Sequence, residues 1–255
     1  MKRKKKQHFN WNILIIDTII FSMFVGLIWA SFWWSGFKNS LAVNKIKFGE
    51  TSILNESVYN STLGEIEGIH PYNIDIKNIS ELLEDHPYVK AARVSHRYPG
   101  TIQIEIEERE PIALLKSDPM IMLDQDGYVL PDLNNLQNFN LPILTNFNPD
   151  LELYPIGKKA LSVKVNECII SLAWIKQDYE QLFDNLSELK ISENNEIELI
   201  LADQPTQIFL GENELGSRIK ILKQFEVELG TKKISDFSYL DMRYKNQIIV
   251  KGRRS

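Results

Sequence analysis

From Lys90 to Leu115 the chain alternates with a period of two. Ile102, Ile104 and Ile106 interleave with Gln103, Glu105 and Glu107, and before them Ala92, Val94 and His96 interleave with Arg93, Ser95 and Arg97. Such alternation marks strands with one wet face. Tyr98-Pro99-Gly100 separates the two runs, Pro presetting one turn angle and Gly permitting the next. A three-residue loop sets Arg97 opposite Thr101, Ser95 opposite Gln103 and Arg93 opposite Glu105. The other face then matches His96 with Ile102, Val94 with Ile104 and Ala92 with Ile106, whereas a two-residue loop would set apolar against polar throughout. The Arg93–Glu105 pair reads as part of a solvated face, worth under about 1 kcal/mol.

Upstream, Val43 to Phe48 alternates like a strand, and a short helix around Ser57-Val58-Tyr59 leads into a Gly-containing loop. Ile74 to Val89 puts Ile79, Leu82 and Leu83 on one helical face and is closed by Pro87, because the residue before a proline is biased away from the α conformation. The order is strand, helix, helix, strand, strand, within about 70 residues. After Pro111 the texture changes. Pro119 to Leu130 reads as a hairpin turning at Asp126-Gly127, and 131–160 is rich in loops, with Pro131, Pro142, Pro149 and Pro155. Val165 to Leu182 is an amphipathic helix, LSELKIS, IELILA and TQIFLG are strands, and Glu214 to Leu229 is a helix striped by Leu215, Ile219, Leu222, Phe225 and Leu229. FSYLDMRY and NQIIVK are the last strands, giving a second, α+β domain. NQIIVKGRRS keeps its charges at the end, on Lys251, Arg253 and Arg254, and leaves Gln247 to Val250 unguarded as a sheet edge.

Ahead of all this, Ile13 to Trp34 is apolar apart from Asp17. About 20 such residues span a bilayer, and Trp11, Trp29, Trp33 and Trp34 fall where interfacial aromatic belts form. A cleaved signal peptide is the alternative; the run's length and bulk and the lack of an A-x-A-like cleavage site favour an uncleaved anchor. Asp17 reads either as a polar contact to a partner helix or, more simply, as an inner-interface residue reaching toward water and the lysines. The basic cluster before the span predicts an N-terminus kept in the cytoplasm and a body exported after about residue 36.

Composition sharpens this picture. The 255 residues, 44% hydrophobic, suffice for one or two cored domains. The net charge is −5 although Lys2, Arg3, Lys4, Lys5 and Lys6 carry +5, so the rest carries −10. An acidic body argues against nucleic-acid binding. The single cysteine, Cys168, allows no internal disulfide and falls on the apolar face with Val165, Ile169, Leu172, Ile175 and Tyr179, as a small buried hydrophobe.

No catalytic set emerges. His8, His70, His86 and His96 lack metal-ligand spacing. Asp124-Gln125-Asp126-Gly127 has Met122 and no closing glutamate where a calcium loop needs ligands, so it reads as a turn. Ser187-Glu188-Leu189-Lys190 and Ser217-Arg218-Ile219-Lys220 match S-x-x-K and Ser192-Glu193-Asn194 matches S-x-N, but no K-T-G completes a transpeptidase set. No Gly-rich phosphate loop is present. The expectation is a protein without catalytic residues, cofactor or metal.

The basic tail, the apolar span and HPYVKAARVSHRYPGTIQIEIEEREPIAL together resemble the FtsQ/DivIB family of bitopic bacterial cell-division proteins. The similarity extends through Pro87-Tyr88-Val89, Pro99, Glu108-Arg109-Glu110-Pro111-Ile112-Ala113, Asp124 to Gly127, Leu141-Pro142, Leu210-Gly211 and Asp241-Met242-Arg243-Tyr244, in order along nearly the whole chain. The resemblance implies an α+β fold: a cytoplasmic tail over 1–12, a transmembrane helix over 13–35, a polypeptide-transport-associated (POTRA) module of βααββ order over 41–110, and a C-terminal β-rich domain with an extended sheet over 111–255.

It further implies a scaffold rather than an enzyme, single-pass in the plasma membrane with its body outside the cytoplasm, and concentrated at the division septum. Its implied partners are FtsB- and FtsL-like proteins and other divisome components, with membrane lipid around the anchor and no nucleic acid or small-molecule substrate. The implied mode is strand addition at the last strand. Arg243, Tyr244 and Lys245 would flank that edge, with Ile248 and Val250 on the strand itself; Tyr244 could instead be a strand-end aromatic packed on the core. The alternative function is a POTRA-bearing accessory of polypeptide transport or secretion, which would call for tandem modules or an outer-membrane barrel.

Overall fold

A computed structural model describes residues 11–37, 42–64, 66–70, 73–133, 140–245 and 247–253. The basic cluster Lys2–Lys6 and Arg254 lie outside the described residues. Helix α1 (Trp11–Phe37) runs 27 residues, about 40 Å at 1.5 Å per residue. Its stretch Leu14–Trp34, 21 residues, is long and apolar enough to cross a membrane and none of it is buried inside the protein. Asp17 lies on the first turn of that stretch. The Thr18 hydroxyl donates to the Leu14 and Ile15 carbonyls at 2.8 and 2.9 Å, so it needs no water.

Two compact units follow from the packing: residues 1–51, 55–82 and 92–106, and residues 52–54, 83–91 and 107–255. The first contains β1 (Lys45–Phe48), α2 (Glu56–Leu63), most of α3 (Ile76–Glu84) and the greater parts of β2 (Val89–Arg97) and β3 (Thr101–Glu108). This is the expected strand, helix, helix, strand, strand order. The three strands form a sheet in the order β1-β3-β2, with β1 parallel to β3 and Ile46 beside Ile102. As the alternation predicts, Ile102 and Ile104 are fully buried while Arg93 and Glu105 are exposed. Tyr59 and Leu63 of α2 and Ile79 of α3 complete this core, and the Ser80 hydroxyl ties α3 to the Ala92 carbonyl at 2.5 Å. Leu82 departs from expectation. It is 38% exposed, because α3 ends at Glu84 and its buried face narrows to Ile79 and Leu83.

The second unit is built on one nine-stranded sheet. Its strands are β4 (Pro111–Leu115), β5 (Ile121–Asp124), β6 (Val129–Leu130), β7 (Ile143–Thr145), β8 (Leu186–Ile191), β9 (Ile197–Leu201), β10 (Gln207–Gly211), β11 (Phe237–Asp241) and β12 (Ile249–Gly252). The order across the sheet is β12-β11-β10-β9-β8-β7-β4-β5-β6. β10 and β11 are parallel and are therefore joined by a crossover helix, α6 (Leu215–Glu228). Val165, Cys168, Ile169, Leu172 and Ile175 of α4 (Val163–Asp178) and Ile219 and Leu222 of α6 pack into one core with Leu189, Leu199, Ile208 and Leu240 of the strands. Burial pushes the Cys168 thiol up to about 12, so it stays a protonated hydrophobe as its helical spacing predicts.

The helix read from Val165 to Leu182 is two helices, α4 and α5 (Glu180–Asp184), broken at Tyr179. Periodicity continued through the break because Tyr179 is buried on the same side. Its hydroxyl bonds the Glu226 carboxylate of α6, and the Lys223 ammonium of α6 caps the Asp178 carbonyl. The lysine gives the Asp178 carbonyl a donor at the break, while the Tyr179 N–H keeps its helical bond to the Ile175 carbonyl at 2.8 Å.

Polar side chains organise the start of this unit. The Glu108 carboxylate accepts the backbone N–H groups of Ser52, Ile53 (2.8 Å) and Leu54 (2.9 Å). Arg109 donates to Asp124 at 2.7 Å and lies 3.6 Å over the Tyr128 ring. Asp124, buried, also accepts from the backbone of Asp126 and Tyr128 at 2.9 and 2.7 Å, so its carboxylate shapes the β5–β6 turn rather than a calcium site.

Candidate protein-interaction edge

β12 pairs on one side only. Its antiparallel partner β11 sets Asp241 beside Ile249, Leu240 beside Val250 and Tyr239 beside Lys251, and no described strand lies on its other side. All four β12 residues are exposed, Ile249 by 42% and Val250 by 39%. The opposite edge of the sheet is treated differently. Alongside β6, the Val129 N–H donates to the Lys158 carbonyl at 2.9 Å, Gly157 N–H to Val129 at 2.8 Å and Ala160 N–H to Gly127 at 2.8 Å. Residues 157–160 thus cover β6, whereas β12 presents an open row of donors and acceptors beside apolar side chains. Natural edges are normally blunted by charge, proline or a covering loop.

The chain reaches β12 through a turn held by Arg243. Its guanidinium grips Asp241 twice, Nε to Oδ1 at 2.9 Å and Nη2 to Oδ2 at 2.6 Å, and reaches Glu196 at 3.0 Å. This pairing holds the Asp241 carboxyl below the usual carboxylate range and raises Arg243 further. Behind the turn, Gly211 sits at φ 84°; a Cβ there would come within 2.6 Å of Arg218 Nη1 and 3.3 Å of Arg243 Cγ. Only glycine lets both arginines pass so close. At the far end of β12, Arg253 donates to the Ser235 carbonyl at 3.1 Å and the Thr206 hydroxyl at 3.0 Å.

Between the turn and α6 lies a groove of about 610 Å³, lined among others by Ser217, Arg218, Ile221, Tyr244, Lys245 and Ile248. The residues named from sequence therefore divide. Tyr244 is 55% exposed at the groove and is not packed on the core; Lys245 and Val250 are exposed. Arg243 spends its guanidinium on Asp241 and Glu196, which makes it a brace for the turn. Ile248 is not on the strand: it precedes β12 by one residue and packs, partly buried, against the core. The alternation of NQIIVK could not separate a strand residue from one in the approach to it. The hydrophobic pattern also gives no sign of the Arg218 contact to the Leu210 carbonyl, and Arg253, placed among the strand-end charges by its position, is tied inward instead. The signal available for the first was Leu210-Gly211, whose glycine marks a close approach. Among the described residues no cluster of three or more His, Cys, Asp or Glu could hold a metal ion.

A family model described as "POTRA domain, FtsQ-type" matches residues 49–109, and one described as "Cell division protein FtsQ/DivIB, C-terminal" matches residues 113–243. The second match alone covers more than half of the 255 residues. The chain belongs to the FtsQ/DivIB family of cell-division proteins. It is 26% identical over 210 residues to cell division protein FtsQ of Geotalea daltonii, across 82% of this chain and 75% of that one. It is 24% identical over 186 residues to FtsQ of Syntrophotalea carbinolica, across 72% of this chain and 64% of that one, less than two thirds of the relative's length. To cell division protein DivIB of Clostridium tetani it is 23% identical over 216 residues, across 78% of this chain and 74% of that one. The FtsQ-type POTRA match begins just after β1 and covers α2, α3, β2 and β3 of the βααββ unit, and the FtsQ/DivIB C-terminal match runs from β4 to the Arg243 brace.

Proposed function

We propose that this FtsQ/DivIB chain is a non-enzymatic, membrane-anchored scaffold of the bacterial divisome that takes up FtsB- and FtsL-like segments as an added strand along β12. The observation that carries the reading is the contrast between the two sheet edges: β6 is covered by residues 157–160, whereas β12 is exposed along its length, with apolar Ile249 and Val250 ahead of Lys251, and no described strand on its outer side. A strand laid along it gains backbone hydrogen bonds, and Tyr244 with the groove toward α6 offers an anchor beyond them. In the same reading, residues 1–12 lie in the cytoplasm, α1 crosses the membrane, the POTRA module over 41–110 and the domain over 111–255 lie outside, and the protein gathers at the septum.

Val250→Pro tests it in the full chain. Proline cannot continue a ladder, and Val250 lies outside the core, so the variant should stay folded and lose capture of an FtsB–FtsL pair in pull-down. Undiminished capture by the folded variant would move the interface away from β12.

A further inference from the structure

We propose a second interaction surface, on the POTRA module: the β2–β3 hairpin tip and the adjoining basic strands dock on an anionic phospholipid surface, that of the bilayer holding α1. Tyr98 at the tip is 84% exposed. Gly100 beside it has φ 71°, and a Cβ there would strike the Ala42 carbonyl; the Asn44 N–H donates to the Gly100 carbonyl at 2.9 Å. The tip is thereby fixed against residues 42–44, where the chain arrives from α1. Ala42 is five residues beyond Phe37, the last residue of α1. At no more than about 3.6 Å per residue, Ala42 lies within about 18 Å of the helix end whatever path the chain takes.

Charge is arranged to match. From Ala91 to Thr101 the sequence has two basic residues, Arg93 and Arg97, and no acid, in a body that otherwise carries a net negative charge; Lys90, just before them, is paired with Glu107 at 3.3 Å and Asp126 at 3.5 Å. Arg93 and Arg97 are exposed. On β1, Lys45 and Lys47 are exposed and pair with Thr101 and Gln103; paired residues share a face, so both lysines lie opposite the side that buries Ile102 and Ile104. Glu105 and Glu107 are the acids on that face of β3, Glu107 held by Lys90 at 3.3 Å, and Glu67 is exposed in the loop whose Gly68 N–H meets the Val43 carbonyl. A tyrosine ring beside arginines and lysines suits the interface, where aromatic rings sit at headgroup level and basic side chains meet anionic lipid. The inference rests on α1 residing in a bilayer and is independent of the β12 edge.

The test is hydroxyl-radical footprinting of the full chain in nanodiscs of phosphatidylcholine alone and of phosphatidylcholine with phosphatidylglycerol. Tyr98 oxidation should fall several-fold in the anionic discs, while Tyr244 oxidation stays constant. Arg97→Gln should lower the docked-to-free ratio roughly fivefold, the equivalent of about 1 kcal/mol per basic residue, and restore much of the Tyr98 reactivity. Equal Tyr98 reactivity in both discs, whether high or low, overturns the proposal. So does protection that appears in neutral discs only when partner proteins are added, which would make the basic face a protein site. A chain that fails to co-elute with the discs overturns the anchor reading and this inference with it, whereas loss of protection alone leaves the anchor and β12 untouched.

Discussion

Arg243 and Asp241, two residues apart at the end of β11, face each other in a two-point pair, Nε to Oδ1 at 2.9 Å and Nη2 to Oδ2 at 2.6 Å. The same Asp241 Oδ1 accepts the Arg243 backbone N–H at 3.1 Å. The pair closes the turn that leads into the open edge, so it fixes where Tyr244 stands without offering its own charges to a partner.

Acid should expose this brace. The folded state holds the Asp241 carboxyl below its ordinary value of 3.8, chiefly through the Arg243 hydrogen bonds. The stabilisation is therefore fully present above that ordinary value and is lost as pH falls through the lowered one. Urea unfolding midpoints compared between about pH 6 and about pH 3 should show a smaller acid loss in Asp241→Asn than in the parent protein. An identical acid loss in both would mean that the pair adds nothing to stability.

Tyr244→Ala should weaken partner-strand binding by about 2 kcal/mol, the loss typical of an aromatic anchor, or roughly thirtyfold in Kd. Isothermal titration against an FtsB–FtsL pair measures it, with circular dichroism as the check on folding. Because Tyr244 is 55% exposed, its loss should leave the thermal midpoint nearly unchanged.

In the POTRA module, Ile104→Asp should unfold the βααββ unit, since an unpaired charge in a closed core costs on the order of 4 kcal/mol. Glu105→Lys, one residue along and exposed, should not. Limited proteolysis of the two variants separates them; similar behaviour would contradict the burial of Ile104 at 0% beside an exposed Glu105.

Orientation is tested at the other end of the chain. A reporter active only outside the cytoplasm, fused after Ser255, should be active, and neutralising Lys2 to Lys6 should lower that activity by weakening the positive-inside bias. Activity of a cytoplasm-only reporter at the same position would reverse the topology.

Ile102, Ile104 and Glu105 were legible in the sequence because a strand's side-chain period is local: neighbouring residues alone say which face is wet. The apolar run of α1, the βααββ order and the stripe of α6 are of the same kind, each written within one element. The last strand was legible in NQIIVK, but the partner-binding role of Tyr244 came into view through a resemblance spread along the chain, and Tyr244 stayed open between a core aromatic and an anchor. Tertiary structure removed the core reading, because exposure depends on what packs from elsewhere and Tyr244 is 55% exposed. It also decided the order of the nine strands, which puts β12 at an edge and residues 157–160 over β6, and it set Ile248 against the core one residue before the strand. The Arg243–Glu196 and Arg253–Thr206 contacts each join residues 47 apart, and Glu108 gathers N–H groups 54 to 56 residues upstream. No local period carries such pairings; they exist only once distant segments are packed together.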